Sequence, residues 1–499
     1  MRRSIAERTF RSPDPLIRAA LLVALAAPAA GAMIAHGGFF PRGQVAFIVI
    51  SSSAALAVIA LAGWSGAALR APAVWALAAL AVLSGLSALW SIGPAVDALR
   101  WGGVLLCLAA IAIAAAIVSD RVGSIPVAAV IAVLAVAAGL VGLYGAGARV
   151  EPLAQRLGGQ WSPGGPLEYS PALALVQVAA FPALIAAMLR LRAHLAAPAA
   201  AGAAVAGAIL ALAGSRVELA IGLAIVAGCA LTAPRVMGLR ATSVLAAAAL
   251  AVTAGGAADA VAGSYVRPYV TGGDVPRLVG LAAIVIGAGG LWLLQRRALL
   301  QSDSGARGAR PLAAALVVVP LAAALLAAAL TPDSGPEAEP VSGFAHGRPA
   351  LWEAAVDAAE DHPVLGSGAQ TFFDASATYQ EPPAVRFAHN LPLESWAELG
   401  IAGGLLAVML YAGSVGLIWS RRRSVAAWLL GPAVIAFLFA NLFDWPWHLP
   451  AADAIFALAL GALAAGSRAV QNVRYAHEMH LSTWPKEGVV PESGTSARR

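Results

Sequence analysis

The chain has 499 residues, 60% of them hydrophobic and 12% charged. Soluble domains carry about 25% charged residues, so this much apolar side chain has no water-soluble interior to fill, which excludes an ordinary soluble domain and favours a polytopic membrane protein. The net charge of +6 does not call for nucleic acid, because the basic residues follow the spacing of the apolar runs.

The N-terminal stretch M-R-R-S-I-A-E-R-T-F-R-S-P-D-P-L-I-R is basic and precedes an apolar run. A signal peptide has that form, but with so many apolar runs behind it the better reading is an uncleaved first membrane helix. Fourteen candidate spans follow at 16–34, 45–63, 72–90, 99–118, 125–146, 171–189, 198–214, 216–232, 241–258, 277–294, 311–331, 398–419, 425–443 and 449–466. Most have the roughly 20 residues needed to cross hydrocarbon. The seventh and eighth are short and abut at Ser215-Arg216, which leaves a re-entrant or broken pair open. Cys107 and Cys229 both lie inside apolar runs, make no disulfide framework and read as small core residues. The polar tail after Arg468 reads as disordered near its end, with no soluble domain appended.

With the N-terminus in the cytoplasm and the spans alternating, most of the 32 Lys and Arg residues fall inside, including Arg296, Arg297, Arg307, Arg310 and Arg421-Arg422-Arg423. That is the positive-inside pattern. The expectation is therefore an all-α polytopic membrane protein of about 12–14 transmembrane helices, with a large extracytoplasmic (periplasmic) loop containing an amphipathic helix. It divides into N-terminal spans over 1–331, a loop over 332–397, about three spans over 398–466 and a cytoplasmic tail over 467–499. Trp161, Tyr169, Tyr265 and Tyr269 lie in outer loops and read as anchors at headgroup level.

The loop holds the candidate chemistry. Arg348 begins a helical pattern in which Leu351, Trp352, Ala355, Val356 and Ala359 share one face, and Pro349 suits a first turn. A guanidinium at a helix N-terminus, where backbone N–H groups are free, makes a phosphate site; the bland alternative is a surface cap. His389, in R-F-A-H-N-L-P-L-E, lies at the water–lipid boundary before Pro392, and its imidazole can take a proton from a hydroxyl. Arg216, in A-G-S-R-V-E-L-A, is flanked by apolar residues and would hold an anionic headgroup at the membrane surface, or snorkel beside Glu218. His346 and His362 are further candidate bases. Asp444, in N-L-F-D-W-P-W-H-L-P, would orient His389 or the substrate, or be a solvated turn residue. Glu398 would fix the loop's exit into the next span, and Gly366-Ser367-Gly368 forms a turn. Neither His346 nor His362 has metal-ligand spacing with a third ligand, so no metal site is expected, and no cofactor is expected either.

Taken together, G-R-P-A-L-W, H-P-V-L-G-S-G, F-A-H-N-L-P-L-E and E-L-G-I-A-G, with the earlier G-S-R-V-E-L-A and the later F-D-W-P-W-H-L-P-A, resemble the O-antigen ligase and O-antigen polymerase family (WaaL/Wzy type) over about 155–460. The resemblance implies an integral membrane glycosyltransferase of the bacterial inner membrane. It would move a glycan from an undecaprenyl-diphosphate carrier to an acceptor hydroxyl, either a lipid-linked sugar or another glycan, by a metal-independent inverting reaction. It implies catalytic roles for Arg216, Arg348 and His389; substrate-binding roles are expected for Arg216, Arg348, Asn390, Asp444 and His346. Pro171 stands where an asparagine is more usual in the family. The competing class is a lipid-linked glycan flippase or transporter, which would line its path with polar residues at the membrane midplane; a non-catalytic scaffold is a third.

Overall fold

The computed structural model describes residues 14–157, 160–262, 274–301, 347–381 and 384–465. The expected span at 311–331, His346, Tyr265, Tyr269 and the tail beyond 465 lie outside the described residues. Within them the chain is helical: α1 Pro15–Ile34, α2 Pro41–Ala62, α3 Pro72–Leu86, α4 Ala95–Val122, α5 Ser124–Ala148, α6 Ser170–Arg190, α7 Ala193–Ala213, α8 Arg216–Val236, α9 Ala241–Ala262, α10 Asp274–Gln301, α11 Arg348–Asp361, α12 Phe372–Ser376, α13 Leu391–Arg421, α14 Val425–Ala440 and α15 Pro450–Ala464. Eleven of these are long and apolar enough to cross a membrane, while α14 and α15 are shorter and equally apolar. The chain is an all-α polytopic membrane protein.

Proline opens α1, α2, α3, α6, α11, α13 and α15. Its fixed φ and missing N–H cost nothing in a first turn, so each marks a helix start. Pro171 is one of these openers. The pair around Ser215-Arg216 is not re-entrant: α7 and α8 each run 21 residues, turning at Gly214 (φ 66°). Apolar-run length alone missed the first turn of α7, because His194 interrupts its hydropathy.

α15 is buried along its whole length at the centre of the bundle, against α4, α14 and α1. The approach of α15 to α4 needs glycine: a Cβ on Gly461 would stand 1.9 Å from the Ala112 carbonyl oxygen. In lipid such small-residue crossings hold helices together, because the surrounding tails are as apolar as the side chains. By contrast, α2 and α13 turn most of their surface outward.

One end of the bundle gathers the polar loops. The α3–α4 loop receives the 365–369 segment through Ile92 N–H to the Ser367 carbonyl (2.9 Å), Trp90 Nε1–H to the Leu365 carbonyl (2.9 Å) and Ala369 N–H to Ser87 Oγ (2.9 Å). A short hairpin, β1 Ala154–Leu157 and β2 Gln160–Pro163, fills the α5–α6 loop at the same end. α13 breaks at Gly400 (φ 66°, ψ −167°). The carbonyls freed by the break accept from the loop, Ala397 from Ser367 N–H (3.0 Å) and Glu398 from Gly368 N–H (2.7 Å), while Ile401 N–H donates to Pro363 (3.0 Å). The loop is thus stitched into the helix by backbone bonds, so residues on either side of it hold fixed positions.

Candidate active site

The centre of this end is a tight turn, 386–390. Asn390 caps α13, its Oδ1 accepting from Leu393 N–H (3.1 Å). Its Nδ2 donates to the Leu442 carbonyl (3.2 Å), and Leu391 N–H donates to the Asn441 carbonyl (2.8 Å). Both ends of the Asn390 amide are therefore engaged in fastening the turn to the α14–α15 loop. His389 takes a left-handed conformation (φ 55°), which few non-glycine residues adopt and which surrounding contacts must impose. Its Nδ1 lies 2.9 Å from the Phe387 carbonyl. A carbonyl can only accept, so Nδ1 carries a hydrogen, and in the neutral ring Nε2 keeps the lone pair.

Nε2 faces Asp444 Oδ1 at 3.8 Å, longer than a hydrogen bond. Asp444 is buried and accepts from the Tyr169 hydroxyl on both oxygens (2.8 and 2.9 Å) and from Trp445 N–H (2.9 Å). Burial raises its pKa above the usual carboxylate range; nearby His389, the Tyr169 and Trp445 hydrogen bonds and the Arg348 charge oppose that rise. Tyr169 is pushed well above its ordinary value, by burial first and then by Asp444 and Glu218, with Arg348 again opposing. Tyr169 is thus not a headgroup anchor: its ring lies 4.3 Å from Trp445 and its hydroxyl is committed to Asp444.

Arg348 opens α11 behind Gly347 (φ 72°), which supplies no side-chain cap. The first backbone N–H groups of α11 are therefore left for solvent or an anion. Arg348 Nε is buried without a hydrogen-bond partner among the described residues. α11 buries Ala354, Ala355, Ala358 and Ala359, with Leu351 and Trp352 half-buried and Glu353, Asp357 and Glu360 exposed. The apolar face is thus rotated slightly from the expected one, because small alanines let α11 sit close on α13. His362 caps the other end of this 14-residue helix, about 20 Å along the axis from Arg348, and is remote from His389's turn in the chain.

Arg216 is exposed at the N-terminus of α8. Two residues on, the buried Glu218 accepts from the Ser215 hydroxyl, and its charge acts on Tyr169. The structure therefore brings His389, Asp444, Tyr169 and Arg348 into one electrostatic neighbourhood, with the start of α8 at its edge.

Beneath the turn lies a buried polar network of which sequence reasoning singled out only Glu398. Glu394 accepts from Ala388 N–H (2.7 Å) and from His448 Nε2 (2.5 Å), and His448 Nδ1 faces Gln370 Nε2 (3.2 Å). The His448 ring stacks on Phe387 at 3.8 Å. One turn along α13, Glu398 accepts from Gln370 N–H (2.9 Å) and Phe372 N–H (3.0 Å). Glu394 thus holds the residue before His389, and Glu398 holds the 370–372 segment. Glu394 reads in sequence as an ordinary first-turn acid; its i, i+4 spacing to Glu398 was the one signal that two acids share a face.

Residues 277–408 match the Wzy_C family model, described as O-antigen ligase. That segment is therefore similar to the O-antigen ligase family. The matched segment runs from α10 through α11 and the His389 turn into α13, whereas Arg216, Tyr169 and Asp444 lie outside it. No curated protein matches the chain.

Proposed function

We propose that the chain transfers a glycan from an undecaprenyl-diphosphate carrier to an acceptor hydroxyl at the outer face of the bacterial inner membrane, with inversion at the anomeric carbon. The observation that carries this reading is the pairing of a histidine whose free Nε2 faces a buried carboxylate at 3.8 Å with an uncapped helix N-terminus bearing Arg348. The positive-inside distribution supports the orientation.

In this reading the donor diphosphate lies against Arg348 and the first N–H groups of α11, with Arg216 on its other side. Guanidinium groups match phosphate oxygens in bidentate fashion. The acceptor oxygen attacks the anomeric carbon as the bond from that carbon to the diphosphate breaks, and the electron pair leaves with the diphosphate. The acceptor proton passes to His389 Nε2. The charge that grows on the diphosphate is met by the arginines, and the imidazolium that forms is met by Asp444. General-base catalysis of this kind is worth about 10²–10⁴-fold, or roughly 3–5 kcal/mol.

Asn390 then acts through the turn it fastens. Ligase and polymerase differ only in the acceptor, and the same residues serve both. The test is donor binding to the purified protein in lipid nanodiscs. Arg348→Gln is expected to weaken undecaprenyl-diphosphate binding roughly tenfold or more, as loss of a charge-assisted bidentate contact would, while His389→Gln retains it. Equal donor binding by Arg348→Gln and the parent chain would remove the diphosphate assignment.

A further inference from the structure

The chain carries a second polar feature beside His389 that the transfer chemistry leaves unused. Arg386 stands three residues before His389, is exposed, and is seated over two rings, 5.5 Å from the centres of both Phe39 and Phe387. Cation–ring contacts fix a guanidinium in place without neutralising it. Among the described residues no carboxylate pairs with it. Phe39 comes from the α1–α2 loop, and it packs on Phe387 (6.3 Å) and on Trp445 (5.7 Å), the neighbour of Asp444. Phe40, next to it, is 52% exposed. On the other side of Phe40 is His36, whose Nδ1 pairs with Glu168.

Both members of that pair hold left-handed backbone conformations, φ 56° and 57°, as His389 does at φ 55°. Such conformations cluster where surrounding contacts over-determine a functional geometry. The wall therefore combines a fixed unneutralised cation, an exposed ring and a histidine–glutamate pair rich in hydrogen-bonding atoms. A pyranose offers complementary surfaces: C–H groups for the ring and hydroxyls for the pair. The cation asks for an anion on the same sugar.

We infer that Arg386, Phe40 and the His36–Glu168 pair form an acceptor subsite for a saccharide bearing a carboxylate or phosphate. The inference rests on the proposed transfer reaction for the word acceptor, but the binding itself does not require turnover. Arg386 is a specificity residue here, and His389 remains the base.

Saturation-transfer NMR on the full chain in nanodiscs tests it, with methyl glucuronide, glucose 6-phosphate and methyl glucoside as probes. Saturation of the ring C–H protons is expected for the acidic probes, and whichever responds names the anion. Arg386→Gln should abolish it, Arg386→Lys should retain part of it, and Phe40→Ala should reduce it. Equal signals from methyl glucoside and the acidic probes, or an acidic-probe signal that survives Arg386→Gln, would overturn the subsite. So would an Arg386 effect that disappears in nanodiscs of neutral lipid, which would make the residue a headgroup anchor. In transfer assays Arg386→Gln should raise the acceptor KM roughly tenfold and leave the donor KM unchanged; a fall in kcat with the acceptor KM unmoved would contradict it. A fully active His389→Gln would instead remove the base and leave the sugar-binding result standing, so the two failures are separable.

Discussion

His389 turns its Nδ1 to the Phe387 carbonyl and its Nε2 toward Asp444, 3.8 Å away. The orienting acceptor and the carboxylate therefore sit on opposite sides of the ring. In the proposed reaction Asp444 is on the side where an incoming hydroxyl would lose its proton, so it would act on the charge that forms there, while the backbone sets ring orientation.

That arrangement makes Asp444 costly to the resting protein. Its pKa lies above the ordinary 3.8 because burial outweighs its polar partners. A group so raised contributes stability that is complete below the unfolded value and is lost as pH rises through the folded one. Asp444→Asn should therefore raise the melting temperature at pH 7, with the advantage shrinking to nothing as pH falls toward about 4, while transfer is impaired. A variant less stable than the parent at pH 7 and equal to it at pH 4 would reverse the sign and refute this.

Tyr169→Phe removes the hydroxyl that donates to both Asp444 oxygens. Hydrogen bonds to the ionised form lower a carboxylate's pKa, so their loss raises that of Asp444 further. The acid limb of the pH–rate profile should move to higher pH. An unchanged profile would show that Asp444 ionisation does not limit transfer.

Glu394→Ala leaves two buried donors, Ala388 N–H and the His448 ring, without their acceptor. Each such loss costs about 1–3 kcal/mol. The expected outcome is a clear drop in melting temperature together with a lower kcat, with Glu394→Gln intermediate because its oxygen still accepts one bond. A stable Glu394→Ala with normal kcat would show that the network does not hold the His389 turn.

Much of this fold is legible in the sequence, since run length and proline punctuation locate the helices that burial then confirms. His389 and Arg348 are legible too, because each sits beside a helix-opening proline. Tyr169 is not: its partner Asp444 is 275 residues away in the chain, and a tyrosine near a membrane boundary has a ready explanation as an anchor. Glu218 was visible only as a neighbour of Arg216, and His448 was hidden among tryptophans. Contacts between loops from opposite ends of a chain leave no local periodicity to read.

Gly400 shows the same limit for backbone. In E-L-G-I-A-G-G it reads as a small residue in a span, yet a Cβ there would meet the Val364 carbonyl oxygen at 2.1 Å, at φ 66°. Gly400→Ala is expected to lower stability by at least the 1–2 kcal/mol of a left-handed non-glycine residue, and to detach the 363–368 segment. Retained protease resistance of that segment would contradict the stitching of loop to helix.

The measurement that bears most directly on the account is the rate of glycan transfer by His389→Gln in membranes, with insertion and donor binding verified on the same sample. A loss of about 10²–10⁴-fold with donor binding intact is the predicted result. Transfer at the parent rate would contradict it.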